Sequence, residues 1–169
     1  MSAPMPNNHE RVMKEDDFII SKTDTSGKIT YCNEIFMELA SMNEEQLLGK
    51  PHNIIRHPDM PKAVFKLLWD RIQNKEEIFA YVKNLSADGG FYWVFANVSP
   101  SYDTSGKVIG YYSVRRKPSQ KALEAIKPLY TEMLRIEKSN GINGSMEYLT
   151  NILKKEGVSY DEFITKIQN

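Results

Sequence analysis

Alternating apolar and polar positions predict five strands in the first two thirds of the chain. Runs rich in β-branched and aromatic residues predict strands over residues 17–24, 28–33, 77–86, 91–102 and 108–117. Turn-forming residues separate the strands that follow one another directly, as in "DTSG" at 24–27, "ADGG" at 87–90 and "DTSGK" at 103–107. Strands joined by such short turns pair as hairpins, so the pattern predicts one antiparallel sheet.

Apolar positions recur at helical spacing between the second and third strands. Asn33 can cap a short helix, and Asn43 with Gln46 three residues later has the pattern of a capping box. A longer amphipathic helix is predicted to begin near Asp59, a good N-cap residue, with Pro61 in its first turn. Strands at both ends with helices between them predict an α+β fold, a five-stranded antiparallel sheet with short helices on one face.

The two ends of the chain differ from this middle part. Residues 1–9 are polar and rich in Pro and Asn, which predicts a flexible segment, and a short helix is expected at 10–16. After Pro118 the spacing becomes helical, with an expected kink at Pro128, a break at "GINGS" and a second capping box at Ser159 and Glu162. We expect this helical extension to cover the domain or a partner. The predicted division is therefore a flexible N-terminus at 1–15, a main domain at 16–118 and a helical extension at 119–169.

Charge and composition narrow the function classes. The 22 Lys and Arg residues balance the 22 Asp and Glu residues, which argues against nucleic acid or an anionic membrane as the main partner. The single cysteine, Cys32, cannot form an intramolecular disulfide and fits a reducing compartment. No signal-peptide pattern and no apolar run of the ~20 residues that cross a bilayer is present, so we expect a cytoplasmic protein without direct membrane insertion.

The chain offers little for catalysis or metal binding. It has no G-x-S-x-G elbow, no H-E-x-x-H pair and no phosphate-binding loop, and we predict that it is not an enzyme. Cys32 lies inside a predicted strand and fits a small buried hydrophobe better than a nucleophile. A metal triad of His52, His57 and Asp59 is conceivable but lacks a familiar spacing.

The polar cluster before the longer helix, Arg56, His57 and Asp59, has two interpretations. Arg56 offers a forked cation suited to phosphate, His57 adds a donor, and the helix N-terminus offers free amides and a positive dipole end. Together they could hold the diphosphate of an anionic cofactor. Alternatively Arg56 and Asp59 pair locally and His57 is a solvated loop residue.

Several stretches resemble one family closely. They are "ITYCNEIF", "LLGKPHNIIRHPDMPKAVF", "LLWDRI", "VKNLSADGGFYWVFANVSP" and "GKVIGYYSVRRKP", and "IKPLYTEM" extends the match to about residue 130. They resemble a PAS domain, and within that family the flavin-binding PAS domain of bacterial aerotaxis receptors. The G-x-P-H-N-x-x-R-H-P-D-M-P run is long and unusual, which makes the resemblance specific.

The resemblance implies a noncovalent FAD held between the sheet and its helices. Its matching positions assign FAD binding to Asn33, Arg56, His57 and Asp59, and contact with the flavin ring to Trp69 and Asn84. His52 and Ser21 also match positions of the family and are weaker candidates for contact with the cofactor. Strand parity places Asn84 toward the pocket. Parity also separates Val94, Ala96 and Val98 from Trp93, and we expect the smaller residues to face inward and Trp93 to lie at an interface. Packing between helix and sheet explains Trp69 nearly as well as contact with a ring.

The resemblance also implies a function, a partner and a location. A sensor of redox or energy state would signal to a membrane-bound chemoreceptor-like transducer with a HAMP domain, and would reach the inner membrane through that partner. The photoactive cysteine of light-sensing PAS domains is replaced by His52, which excludes that chemistry. A homodimer through the helix expected at 10–16 is a further expectation. The alternatives are a cofactor-free interaction module, a heme domain with His52 or His57 as axial ligand, and a small flavin oxidoreductase.

Overall fold

Five antiparallel strands form a single sheet in the computed structural model, which describes residues 2–169. The spatial order of the strands is β2-β1-β5-β4-β3, so the two ends of the sheet are β2 and β3. The strands are β1 (Ile19–Thr23), β2 (Ile29–Cys32), β3 (Ile78–Leu85), β4 (Phe91–Tyr102) and β5 (Val108–Arg116). All five predicted strands and the α+β fold class are confirmed.

Short helices connect β2 to β3. They are α1 (Glu34–Ala40), α2 (Glu44–Leu47), a 3-10 turn (His52–Ile55) and α3 (Lys62–Gln73). The predicted caps are confirmed, because Asn33 caps α1 and Asn43 forms a reciprocal capping box with Gln46. The predicted start of α3 at Asp59 is wrong. The helix begins at Lys62, after Pro61, and the Asp59 carboxylate lies 3.2 Å from the Lys83 ammonium instead of capping the helix.

In the middle of β4 the sheet presents small side chains on one face and the aromatic rings of Trp93 and Phe95 on the other. Ala96 and Val98 of β4 face the short helices and line a cavity, as predicted from their parity. Trp93 faces the opposite side, where only 8% of its surface is exposed and its ring lies 6.1 Å from that of Tyr130. The short helices therefore cover the small-residue face, and the aromatic face packs against the C-terminal part of the chain.

Two C-terminal helices cover the aromatic face and the β3 edge. They are α4 (Gln120–Glu156) and α5 (Tyr160–Gln168), and the expected capping box of Ser159 with Glu162 begins α5. The expected break lies at Gly141, whose φ of 72° and ψ of −172° interrupt α4, whereas the dihedrals at Pro128 are helical. The extension therefore packs on its own domain. In the part of the chain described, no helix is long and apolar enough to span a bilayer.

The N-terminal segment runs along the hairpin between β3 and β4. The Asn7 amide donates to the Gly89 carbonyl at 2.8 Å, and the Arg11 amide donates to the Phe91 carbonyl at 2.7 Å. The short helix expected at 10–16 is wrong, because this stretch is extended and ends in a turn before β1. Hydrogen bonding to the hairpin replaces the local helical bonds that the sequence pattern favoured.

Candidate ligand-binding site

A cavity of about 320 Å³ lies between the small-residue face of the sheet and the α3 side of the domain. This volume is at the lower end of the range for ligand pockets in proteins, roughly 300–1,000 Å³. Its walls are mostly apolar, with polar groups at one end and at the mouth. The lining includes His52, Ile55, Arg56, Phe65, Leu68, Trp69, Val82, Asn84, Ala96, Val98, Tyr111, Ser113 and Arg115.

The apolar walls come from α3 and from the sheet. Helix α3 contributes Phe65, Leu68 and Trp69, and the sheet contributes Val82 and Ala96 opposite them. Opposite α3 the sheet offers the small or β-branched side chains of Val82, Ala96 and Val98, which leave open space that larger side chains would fill. Two apolar walls that face each other suit a planar, uncharged ring system.

The polar end of the cavity contains a buried cation, Arg115 of β5. Only 2% of its surface is exposed, and one of its nitrogens, Nη2, donates to the Ser21 hydroxyl at 2.6 Å. Its Nε and Nη1 have no partner, and it forms no ion pair with any residue of 2–169. The guanidinium carbon lies 4.5 Å from the centre of the Phe36 ring, and burial lowers the pKa of Arg115 to about 10. A buried guanidinium with unused donors favours a ligand that brings an acceptor or a negative charge.

His52 extends this polar end, and Ser21, outside the lining, connects it to Arg115. The Nε2 atom of His52 lies 3.1 Å from the Ser21 hydroxyl, which also accepts the hydrogen bond from Arg115. Burial, helped by the positive charge of Arg115, lowers the pKa of His52 to about 3. The imidazole is therefore neutral at physiological pH and adds no second positive charge beside Arg115.

Asn84 supplies an amide to the same end of the cavity. It lies on β3, only 3% exposed, and its backbone bridges to that of Arg56 in antiparallel fashion. The Tyr92 hydroxyl lies nearby, where burial raises its pKa to about 12. An amide offers both a donor and an acceptor, which suits a ring edge that carries both.

Arg56 stands at the mouth of the cavity, in the loop before α3. Its guanidinium carbon lies 3.8 Å from the centre of the Phe65 ring, a cation–π arrangement that holds the side chain across the opening. Partial burial lowers its pKa, yet the residue remains exposed. Arg56 can therefore meet the anionic part of a ligand whose ring lies inside.

Three of the predicted site residues do not line the cavity. The Asn33 side chain accepts from the amides of Ile20 and Phe36, and so joins β1 to the start of α1. His57 is 3% exposed, and its Nδ1 accepts from the Asp59 amide at 3.0 Å, which fixes the loop that carries Arg56. The cavity thus brings together four of the seven predicted residues, His52, Arg56, Trp69 and Asn84. The weaker candidate Ser21 does not line it, but its hydroxyl contacts the two lining residues Arg115 and His52. Asn33, His57 and Asp59 shape the surrounding loops, and any direct contact with a ligand remains a prediction for them.

The amides at the start of α3 are also occupied within the chain. The amides of Lys62 and Ala63 donate to the two carboxylate oxygens of Glu137, at 2.8 and 3.1 Å. The helix terminus that was expected to help hold a diphosphate therefore already has an anionic partner. Among residues 2–169, no group of three His, Cys, Asp or Glu side chains is arranged to hold a metal ion, so the triad with His52 has no structural support.

Sequence reasoning missed Arg115. A usable signal was the adjacent pair Arg115 and Arg116 at the end of a predicted strand, because neighbouring strand residues point to opposite faces. Arg115 shares its parity with Ser113 and Tyr111, which also line the cavity, and Arg116 points to the other face, over Phe95.

A five-stranded antiparallel sheet that encloses a ligand-sized cavity with short helices defines a sensor-type α+β module. A family model described as "PAS fold" matches residues 29–115, half of the chain, and the chain belongs to the PAS family.

Relatives and solved structures agree with this assignment. The aerotaxis receptor of Escherichia coli strain K12 is 36% identical over 129 residues, which are 76% of this chain and 25% of the receptor. The light-state structure of the blue-light photoreceptor Aureochrome1 LOV has a TM-score of 0.57 at 24% identity, covering 68% of this chain and 90% of that one. A light-oxygen-voltage domain studied with a flavin analogue has a TM-score of 0.56 at 25% identity, covering 66% and 83%. The chain spans only 21–25% of the length of the first curated relatives it matches.

Proposed function

We propose that this PAS protein is a sensor of redox or energy state that binds FAD noncovalently and signals to a chemotaxis transducer. The observation that carries the proposal is the cavity itself, with apolar walls, an inward amide at Asn84 and a buried Arg115 that has unused donors. Similarity to the aerotaxis receptor and to a domain studied with a flavin analogue supports a flavin as the ligand. The proposed role involves no substrate turnover.

The residues of the cavity would divide the work of holding the flavin. Trp69, Phe65 and Val82 would pack on the ring system, while Asn84 and Arg115 would meet its polar edge. Arg56 at the mouth would bind the diphosphate. Because Glu137 caps the start of α3, we assign the diphosphate to Arg56 and give His57 and Asp59 the supporting task of fixing its loop.

Once bound, a flavin supplies reversible uptake of electrons and protons. The chain contributes groups whose hydrogen bonds respond to charge at that end of the cavity, above all Asn84, Arg115 and His52. Cys32 is buried in the core and does not line the cavity, which supports redox sensing rather than a cysteine adduct.

A signal from this cavity has a short route to the surface of the domain. Asn84 lies on β3, and the neighbouring residues of that strand contact the C-terminal helices on the other face. A partner that binds the two ligand states unequally would read the difference. We propose a membrane-bound transducer with a HAMP domain as that partner, with this chain in the cytoplasm and reaching the inner membrane through it.

The heme alternative has weaker support from the site. The Nε2 atom of His52, the nitrogen best placed to ligate an iron inside the cavity, is already engaged with Ser21 at 3.1 Å. His57 does not line the cavity. A flavin does not require the His52–Ser21 contact to be broken.

The test is reconstitution of the purified chain with FAD, FMN or hemin in separate samples, followed by visible spectroscopy of the protein after gel filtration. The proposal expects flavin absorption bands that comigrate with the protein, strongest with FAD, and loss of bound FAD in Arg56→Ala but not in Lys50→Ala, a control at another exposed basic residue. A Soret band in place of flavin bands, or no retained cofactor at all, would overturn it. The transducer part is tested separately by co-purification with a membrane receptor in the presence of oxidised or reduced cofactor, where equal binding in both states would contradict signalling.

A further inference from the structure

Helix α3 is held at its first turn by a residue far away in the chain. Pro61 precedes the helix and provides no side-chain cap. The two carboxylate oxygens of Glu137, on α4, accept hydrogen bonds from the amides of Lys62 and Ala63 instead. A carboxylate at a helix N-terminus satisfies free amides and interacts favourably with the helix dipole.

The other end of α3 is held by α5. The Arg71 Nη1 atom lies 3.1 Å from Oδ2 and 3.2 Å from Oδ1 of Asp161, and its guanidinium carbon lies 5.8 Å from the centre of the Tyr160 ring. The Tyr160 hydroxyl in turn donates to the backbone carbonyl of Phe79 on β3 at 2.8 Å. The C-terminal extension therefore grips the cavity-lining helix at both ends and the adjacent strand as well.

We infer that the C-terminal extension is a brace that positions the α3 wall of the cavity, and that Glu137 is its main positioning residue. Phe65 and Trp69, which line the cavity, lie on the helix between the two grips. Loosening the first turn of α3 moves Phe65, and with it Arg56, whose guanidinium rests on that ring. Retention of a cavity ligand thus depends on a carboxylate that does not line the cavity.

Coupling between the brace and the cavity works in both directions. If docking of the extension strengthens ligand binding by some factor, ligand binding strengthens docking by the same factor. Binding of a ligand in the cavity therefore changes how firmly the extension is docked, and a partner at the surface of the protein can respond to that change. This reciprocal part rests on the proposed function, because it requires a bound ligand, whereas the positioning of α3 by Glu137 does not.

The experiment compares Glu137→Gln and Glu137→Ala with Glu132→Gln. Glu132 is a matched control on the same helix, since its carboxylate contacts only Arg135 one turn away. Amide hydrogen exchange of the ligand-free protein is measured first, at Lys62, Ala63 and the amides of α3. We expect exchange there to rise roughly 2- to 30-fold in the Glu137 variants, the range that corresponds to loss of a helix cap, with no change in the control.

The second measurement is the dissociation rate of FAD from the reconstituted variants, with thermal unfolding of the ligand-free proteins alongside. Faster release in both Glu137 variants, with Glu132→Gln unchanged, would support the brace. Unchanged exchange in α3, or altered exchange with unchanged release, would overturn it. Absence of FAD binding in the unmodified chain would defeat the proposed function instead, and exchange of the ligand-free protein would still decide whether Glu137 positions α3.

Discussion

At the residue scale, Arg115 is the feature that the fold alone does not explain. A buried guanidinium is costly unless its donors and charge are compensated, and only Ser21 among residues 2–169 accepts a hydrogen bond from it. The cation–π contact with Phe36 offsets part of that cost. A core position with this chemistry is better explained by ligand binding than by stability.

Replacing Arg115 by Met should therefore separate binding from folding. We expect Arg115→Met to reduce affinity for FAD at least tenfold, which corresponds to about 1.4 kcal/mol, while the free energy of unfolding of the ligand-free protein stays constant or rises. Fluorescence titration with FAD and urea unfolding measure the two quantities. Arg116→Met is the control, because Arg116 points to the opposite face. A large loss of stability without a loss of affinity would assign Arg115 a structural role.

The buried His52 leads to a prediction of how the stability of the protein depends on pH. Its pKa is about 3 in the folded protein and about 6.5 when unfolded, so the unfolded chain binds the extra proton between these values. Stability should fall as pH is lowered from about 6.5 toward 3, with His52 contributing up to about 1.4 kcal/mol per pH unit.

Urea unfolding of the ligand-free protein at several pH values between 4 and 7 measures this slope. His52→Gln should make the slope shallower than that of the unmodified protein. Identical slopes for the unmodified protein and His52→Gln would show that His52 is not held neutral by its surroundings.

Some residues were correctly predicted from sequence and others were not, for a physical reason. Asn33 was expected both to cap α1 and to bind cofactor; the cap is confirmed, and the same oxygen that caps also bonds to β1. One short polar side chain meets either need, and local sequence does not show which neighbour it reaches. Asn84 was placed toward the cavity correctly because strand parity is a local property.

At the element scale, the edge strand β3 is covered by tyrosine hydroxyls. Tyr130 of α4 donates to the Tyr81 carbonyl at 2.6 Å, and Tyr160 of α5 donates to the Phe79 carbonyl at 2.8 Å. Exposed strand edges otherwise invite pairing with other chains. The C-terminal helices thus protect this edge, and they are hydrogen-bonded to the strand that carries Asn84.

Removal of one hydroxyl should measure this contact. Tyr130→Phe leaves the Tyr81 carbonyl without its partner in a buried place, and we expect a loss of about 1–3 kcal/mol in the free energy of unfolding. Tyr31→Phe, at an exposed tyrosine, should change it by less than about 0.5 kcal/mol. Equal effects of the two substitutions in urea unfolding would mean that the Tyr130 bond does not stabilise the docked extension.

The break in α4 makes a second prediction at this scale. Gly141 has φ 72° and ψ −172°, a conformation that only glycine adopts without strain. Gly141→Ala should destabilise the protein by about 1–3 kcal/mol, as measured by thermal or urea unfolding, although the added methyl group meets no neighbour. Asn143→Ala, two residues further on an exposed position, is the control. A stability equal to that of the unmodified protein would show that α4 can straighten at no cost.

Element positions were predictable where their signals are local. Strand alternation, turn residues and capping boxes depend on neighbours within a few residues, and these predictions are confirmed. The start of α3 was not predictable in this way, because its cap comes from Glu137, 74 or 75 residues away in sequence. The helix expected at 10–16 failed likewise, since pairing with the β3–β4 hairpin is a long-range interaction.

At the scale of the whole molecule, the cavity lies between two layers, each held in place by distant parts of the chain. The sheet forms one wall, α3 forms the other, and the C-terminal extension touches both. The sequence indicated that the extension would cover the domain or a partner. It could not indicate which of the two, because the apolar face of an amphipathic helix does not specify the surface against which it packs. The structure places it on the domain, where its position is coupled to that of α3. The homodimer expected through a helix at 10–16 loses that helix as its basis.

The central claim is that the ring of a flavin occupies the cavity beside Asn84 and Arg115. A crystal structure of the protein reconstituted with FAD tests it most directly. The account predicts the ring system between Trp69 and the sheet, with its polar edge within hydrogen-bond distance of Asn84 and Arg115 and with the diphosphate at Arg56. A cavity closed by its own side chains, or FAD bound elsewhere on the molecule, would contradict it.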